Sequence, residues 1–290
     1  VYGLAIARHV DPVEKKPLFH FQPGTRTYSI ATVGCNFRCL FCQNADISQM
    51  PRDIKRVTGE TFPPEDVVSA ARQSGCCSIA YTYTEPTIFF EYAFETAKLA
   101  QAAGLKNIFV TNGYMTPEAL DLIRPYLDAA NVDLKAFTEE FYKEQCSAKL
   151  APVLESLQKL KAMGVWLEVT TLIIPTLNDS DGELEQIARF IKEELGPEVP
   201  WHVSRFHPTY RLTNIPSTPV STVRRALEIG FRAGLQYVYT GNVPGESGEK
   251  TICHHCGQVL IDRFGFSTRD YGIQNGRCLH CQTPVAGVGM

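Results

Sequence analysis

The stretch Gly34-Cys35-Asn36-Phe37-Arg38-Cys39-Leu40-Phe41-Cys42-Gln43-Asn44 constrains this chain more than any other. Its three cysteines stand at C-x3-C-x2-C spacing, directly after an apolar, β-branched run from Tyr28 to Val33. Thiolates so close along one loop can converge on a single metal centre. A structural zinc or a closed four-iron cluster takes four protein ligands, so three leave one metal position open for a substrate or cofactor. The competing reading is three incidental thiols, or a zinc site completed from elsewhere.

Beyond this loop the chain alternates strand and helix patterns. Strands are expected at Tyr28–Val33, Ser78–Tyr83, Asn107–Thr111, Asn131–Lys135, Val165–Ile174, Trp201–Phe206 and Gln236–Tyr239, with amphipathic helices between them. Pro63-Pro64-Glu65-Asp66 and Thr116-Pro117-Glu118 are helix starts, and Gly75, Gly104, Gly164 and Gly234 are stops. Short connections and about six βα repeats predict a parallel sheet, because parallel neighbours need a crossover helix. Pattern alone leaves a curved barrel and an open doubly wound sheet nearly tied. Asp11 to Leu18 is polar and punctuated by prolines, which predicts an extended entry segment. Val1–Ala7 reads as strand interior, so a further segment upstream is expected.

Past Gly241-Asn242-Val243-Pro244-Gly245 the alternation stops and two cysteine pairs appear. Cys253 and Cys256, then Cys278 and Cys281, form C-x2-C…x21…C-x2-C, whose four thiolates can close on one ion as in a zinc ribbon. Val259-Leu260-Ile261 and Phe264-Gly265-Phe266 read as a hairpin between the knuckles. A piece of roughly 45 residues has too little core to stand alone, and metal binding can supply the missing free energy. Zn2+ is the main reading, with an auxiliary iron–sulfur cluster as its rival. The expected division is an N-terminal segment over 1–27, the βα domain over 28–242 and the metal module over 243–290.

The ten cysteines of the 290 residues are grouped at metal spacing, which points to a reducing cytoplasm rather than a disulfide framework. Cys76, Cys77 and Cys146 are left over and read as small buried residues. A formal charge of −3 with scattered Lys and Arg gives no nucleic-acid footprint, and no apolar run is long enough to cross a bilayer.

In parallel α/β folds the loops after the strands build the site. Those loops carry Thr84, Glu85, Thr111, Asn112, Asp133, Lys135 and Asp179, and the strand from Trp201 carries His202. Singly each has a bland explanation: a turn, a cap, a satisfied polar side chain. Together on one rim they form a candidate pocket, with aromatic Phe41 as an apolar wall. No catalytic residue is assigned.

The motif C-x3-C-x-Phe-C resembles the signature of radical S-adenosylmethionine (SAM) enzymes. That resemblance implies a partial (β/α)6 barrel and a [4Fe–4S] cluster on Cys35, Cys39 and Cys42, with SAM on the fourth iron. It further implies an electron donor such as flavodoxin or ferredoxin, and reductive cleavage of SAM to a 5′-deoxyadenosyl radical that abstracts hydrogen from a substrate. Its activating-enzyme branch has Gly-Gly-Glu after the second strand, Asp-Thr-Asn-Gly after the third and Asp-Leu-Lys after the fourth. Here these places read Tyr83-Thr84-Glu85, Val110-Thr111-Asn112-Gly113 and Asp133-Leu134-Lys135. Glu85 then carries over as acceptor for the SAM ammonium, while the glycines and the first aspartate are absent; His202 takes the place of a histidine near SAM.

A resemblance over almost the whole chain is to the radical SAM proteins of the AmmeMemoRadiSam system, relatives of pyruvate formate-lyase-activating enzymes. It rests on Asp11–Phe21, Cys-Asn-Phe-Arg-Cys, Phe-Cys-Gln-Asn, Tyr-Thr-Tyr-Thr-Glu-Pro-Thr and Gly-Asn-Val-Pro-Gly. It implies Memo-like and AMMECR-like partners. The lateral opening of a six-unit barrel favours a peptide or protein substrate over a small molecule. The alternative class is a non-catalytic metal-binding scaffold.

Overall fold

The computed structural model describes residues 1–243 and 247–290, so Pro244 and Gly245 of the Gly-Asn-Val-Pro-Gly motif, at the expected domain boundary, lie outside the described residues. One eight-stranded sheet dominates. Its strands are β1 (Ala7–Pro12), β2 (Arg26–Ala31), β3 (Ser78–Tyr81), β4 (Lys106–Thr111), β5 (Ala129–Asp133), β6 (Trp166–Ile173), β7 (Trp201–Arg205) and β8 (Val238–Gly241). They lie side by side in chain order. β1 pairs antiparallel with β2, and every later neighbour is parallel.

The helices follow in the expected places: α1 (Pro64–Gln73), α2 (Phe90–Ala102), α3 (Pro117–Ile123), α4 (Ala151–Ala162), α5 (Asp181–Phe190) and α6 (Val220–Ala233). This order decides between the two folds that periodicity left open. A doubly wound sheet reverses its strand order at a switch point, and this one never does. Right-handed crossovers in one direction put all the helices on one face, which is the winding of a barrel. The sheet does not close, because β1 and β8 are its two ends. The fold is a mixed α/β barrel segment.

Alternation along the strands separates two apolar layers. Ile79, Tyr81, Phe109, Ala130 and Val132 face the helices, among Val67, Tyr92, Leu120 and Leu157. Ala80, Ile108 and Ala129 face inward and meet Val13, Leu18 and Phe21. The expected extended entry segment is therefore part of the barrel. After a 3₁₀ turn over Val13–Lys15 it folds into the barrel and plugs it, with Lys16 and Glu14 only 1% exposed. Its charges deceive because each has a buried partner: Lys16 Nζ is 2.7 Å from Asp11 Oδ2, and Arg263 Nε is 3.8 Å from Glu14 Oε1.

The C-terminal residues add strands β9 (Thr251–Ile252), β10 (Val259–Phe264) and β11 (Ser267–Tyr271), an antiparallel sheet containing the expected hairpin. They share a core with the barrel: Phe19, Tyr237 and Tyr239 pack with Cys253, Leu260, Ile261, Cys278 and Val285. Arg263 reaches across, donating to the Phe19 carbonyl at 2.7 Å with its guanidinium 4.3 Å from the Phe19 ring.

Candidate active site

The cysteine loop leaves β2 at its carboxyl end. Gly34 turns it at φ +107°, a backbone conformation that favours glycine, and a Cβ there would stand 2.7 Å from Ile88 Cδ1. The loop is strapped from several sides. Arg38 N donates to Cys146 O and Leu40 N to Gln145 O, both at 2.9 Å, and Leu40 O accepts from Arg211 N at 3.0 Å. Phe37 and Phe41 are buried anchors, Phe37 against Tyr114 and Phe41 against Phe141. Phe41, expected as an apolar wall, is itself only 4% exposed.

Each loop sulfur has a defined neighbour. Cys35 Sγ accepts from Phe37 N at 3.4 Å and from Asn112 Nδ2 at 3.7 Å. Cys42 Sγ is 3.1 Å from Ser48 Oγ. Cys39 is buried, and the residues on either side of it are bonded to the carbonyls of Gln145 and Cys146. Burial, then the nearby Glu85 carboxylate, pushes the Cys35 thiol up to about 12, and burial raises Cys42 as well. Such thiols are neutral until a metal deprotonates them. Three loop thiols surrounded by N–H and O–H groups able to donate to sulfur fit an iron–sulfur centre.

Glu85 is the hub of the rim. Its Oε1 accepts from Thr87 N at 3.1 Å, Thr87 Oγ1 at 2.6 Å and Thr111 Oγ1 at 2.7 Å, and its Oε2 accepts from Asn112 N at 2.8 Å. Burial pushes its pKa up while these donors pull it back. Nearly all its acceptor capacity is used inside the protein, unlike the free acceptor for an ammonium that the motif suggests. Asn112 then donates through Nδ2 to Asn36 Oδ1 at 2.7 Å, so one chain of bonds runs from Glu85 to the cysteine loop.

Tyr83 occupies the first glycine position of the Gly-Gly-Glu motif and explains why glycine suits it. Its φ is +63°, a strained conformation for a side chain of this size. Four contacts hold it: its hydroxyl donates to Asp11, Lys16 Nζ lies 4.4 Å from its ring, His9 meets the ring edge-on, and its carbonyl accepts from Asn44 Nδ2 at 2.8 Å. Thr84 Oγ1 donates to Thr32 O at 2.9 Å.

Asp133 and Lys135 form an ion pair of 2.9 Å at the end of β5. Burial alone would lower the pKa of the Lys135 ammonium, but the Asp133 carboxylate beside it raises it. His202 stands apart from this rim. It is the second residue of β7, 3% exposed, with Nε2 2.6 Å from Glu168 Oε2. Glu168 also accepts from the amides of Phe19 and His20 and from Trp166 Nε1, so this carboxylate ties the plug to the barrel wall. Asp179 caps its own turn, accepting from Thr176 N at 2.8 Å.

Sequence reasoning missed Asn36, Ser48, Tyr83 and Cys146. The first is inside the motif and the third at a substituted glycine, so both carried a signal. Ser48 and Cys146 carried none, because folding alone brings them to the loop.

The second centre is compact. The four sulfurs of Cys253, Cys256, Cys278 and Cys281 lie within 4.8 Å of one another, with Cys253–Cys281 at 3.6 Å and Cys256–Cys278 at 3.7 Å. Its halves repeat each other: Cys253 N donates to Gln258 O and Cys278 N to Thr283 O. After each second cysteine a left-handed residue follows, Gly257 at φ +75° and Gln282 at φ +62°. Among the described residues no helix is long and apolar enough to cross a membrane.

The radical SAM superfamily profile matches residues 29–191, more than half of the chain. An uncharacterized protein of Methanocaldococcus jannaschii is 45% identical over 97% of this chain and 83% of its own length. The pyruvate formate-lyase-activating enzyme of Clostridium pasteurianum is 23% identical over 59% of this chain and 71% of its own. A radical SAM methyltransferase from Sphaerobacter thermophilus has a similar fold at TM-score 0.59 and 17% identity, covering 82% of this chain and 71% of that one. The chain belongs to the radical SAM superfamily and is related to the pyruvate formate-lyase-activating enzymes.

Proposed function

We propose that this protein reductively cleaves SAM at a [4Fe–4S] cluster held by Cys35, Cys39 and Cys42 and directs the resulting hydrogen abstraction to a substrate. The observation that carries it is the cysteine loop at the carboxyl end of β2, whose Cys35 sulfur accepts from Asn112 at the end of β4. When bound, the cluster would pass on the donor's electron and SAM would supply the reactive 5′-carbon. The chain's own part is positioning: Glu85 holds the Asn112 turn against the loop, and the Asp133–Lys135 pair presents charge at the rim. The plug of Val13, Leu18 and Phe21 keeps water from the barrel interior, where an exposed radical would find stray hydrogen.

Zn2+ is the reading for the C-terminal site. A tetrahedron of about 2.3 Å Zn–S bonds has edges of about 3.8 Å, and two of the sulfur pairs stand at 3.6 and 3.7 Å. An auxiliary iron–sulfur cube would hold its thiolates further apart. We assign residues 243–290 to the metal module and extend the barrel from 28–242 to take in the expected N-terminal segment, because its strand Ala7–Pro12 pairs with β2 and Val13, Leu18 and Phe21 pack inside the barrel. A low-potential donor such as flavodoxin or ferredoxin would supply the electron.

The names of the activating-enzyme relatives favour a protein or peptide substrate, and the resemblance to the AmmeMemoRadiSam system favours Memo-like and AMMECR-like partners. The experiment is anaerobic iron and sulfide reconstitution of the wild type and of Cys35→Ala, Cys39→Ala and Cys42→Ala. The wild type should take up about four irons and four sulfides at the loop, and each variant should lose most of them while zinc persists. Undiminished iron in the variants would refute the assignment.

A further inference from the structure

Cys146 lies outside every motif, yet the fold delivers it to the cysteine loop. It ends a π-helical turn, Tyr142–Cys146, that follows a short helical turn at Glu139–Phe141, and Ser147 closes it in the left-handed conformation at φ +54°. π-Turns are rare and cluster at functional sites. The last carbonyls of this turn would lack partners as helix ends do. Here those of Gln145 and Cys146 accept from Leu40 and Arg38, the residues flanking Cys39. Two backbone hydrogen bonds thus fix residue 146 beside residue 39. Cys146 is fully buried and Cys39 nearly so, and both side chains belong to the same packed core.

We propose that Cys146 is a positioning residue that donates an S–H hydrogen bond to the Cys39 sulfur and so raises the reduction potential of the centre built on the loop. This rests on the reading of Cys35, Cys39 and Cys42 as cluster ligands. A donor to a coordinated thiolate withdraws electron density from the iron and favours the more negative, reduced state. Both side chains are buried, so bulk water does not take the donor's place when it is removed. A purely structural cysteine would fill the same volume and leave the potential alone.

The test uses the full chain, purified and reconstituted anaerobically, with Cys146→Ala removing the donor and Cys146→Ser keeping an O–H in its place. Iron and sulfide content are measured first, then the midpoint potential by titration followed by electron paramagnetic resonance. The inference predicts wild-type iron content in both variants, a more negative midpoint for Cys146→Ala, and a value nearer wild type for Cys146→Ser. An unchanged midpoint in Cys146→Ala overturns it. Loss of iron in both variants also overturns it, because Cys146 would then be a ligand or a support of the loop. A wild-type protein without a loop cluster would instead defeat the ligand assignment itself, and this inference with it.

Discussion

The backbone amide of Asn112 donates to Oε2 of Glu85 at 2.8 Å, and both residues are buried. This bond joins the loop after β3 to the loop after β4, and Asn112 passes the connection on to Asn36 and Cys35. Glu85 therefore acts on the cysteine loop through another residue.

From this follows a stability effect. Glu85→Ala strands the Thr87, Thr111 and Asn112 donors, so unfolding free energy should fall by about 2–4 kcal/mol. Urea denaturation measures it. A carboxylate whose only duty is to meet SAM would leave the midpoint unchanged.

The shared core around Phe19, Tyr237 and Tyr239 makes the metal module part of the barrel's stability. Removing zinc with a chelator, or changing Cys253 and Cys256 to Ser, should lower the melting temperature of the helical signal as a whole. Elemental analysis should find one zinc per chain. A tail that unfolds while the barrel melts unchanged would contradict the packing.

Acid should weaken the plug. His20 Nδ1 is 2.6 Å from Ala286 O and its Nε2 2.6 Å from the Tyr239 hydroxyl, the pattern of a neutral ring. Burial pushes its pKa down to about 4. An ordinary histidine takes its proton near pH 6.5, so between about 6.5 and 4 only the unfolded chain is protonated. Stability should then fall as pH drops through that window, by roughly 3 kcal/mol at most. Denaturant titrations across pH 4–7 should show the slope in wild type and a flatter one in His20→Gln.

The strands, the crossover helices and both cysteine groups were legible because each has a local signal: periodicity, caps or spacing. The plug was not. Asp11 to Leu18 read as an extended, polar entry segment because Glu14 and Lys16 are charged, and their partners, Arg263 and Asp11, become neighbours only on folding. His202 was placed on the rim by motif position, whereas it lies near the start of a five-residue strand, bonded to Glu168. Glu168 sits in a strand whose other residues are mostly apolar or β-branched, so its carboxylate drew no attention. The helical turn that delivers Cys146 is too short to show a period.

The most direct test of the account is chromatography for 5′-deoxyadenosine after anaerobic reduction of the iron-loaded protein with SAM. Wild type should form it together with methionine, and Cys39→Ala should form none. A fully clustered, reduced wild-type protein that leaves SAM intact, even with candidate partners and cell extract present, would contradict the proposed function.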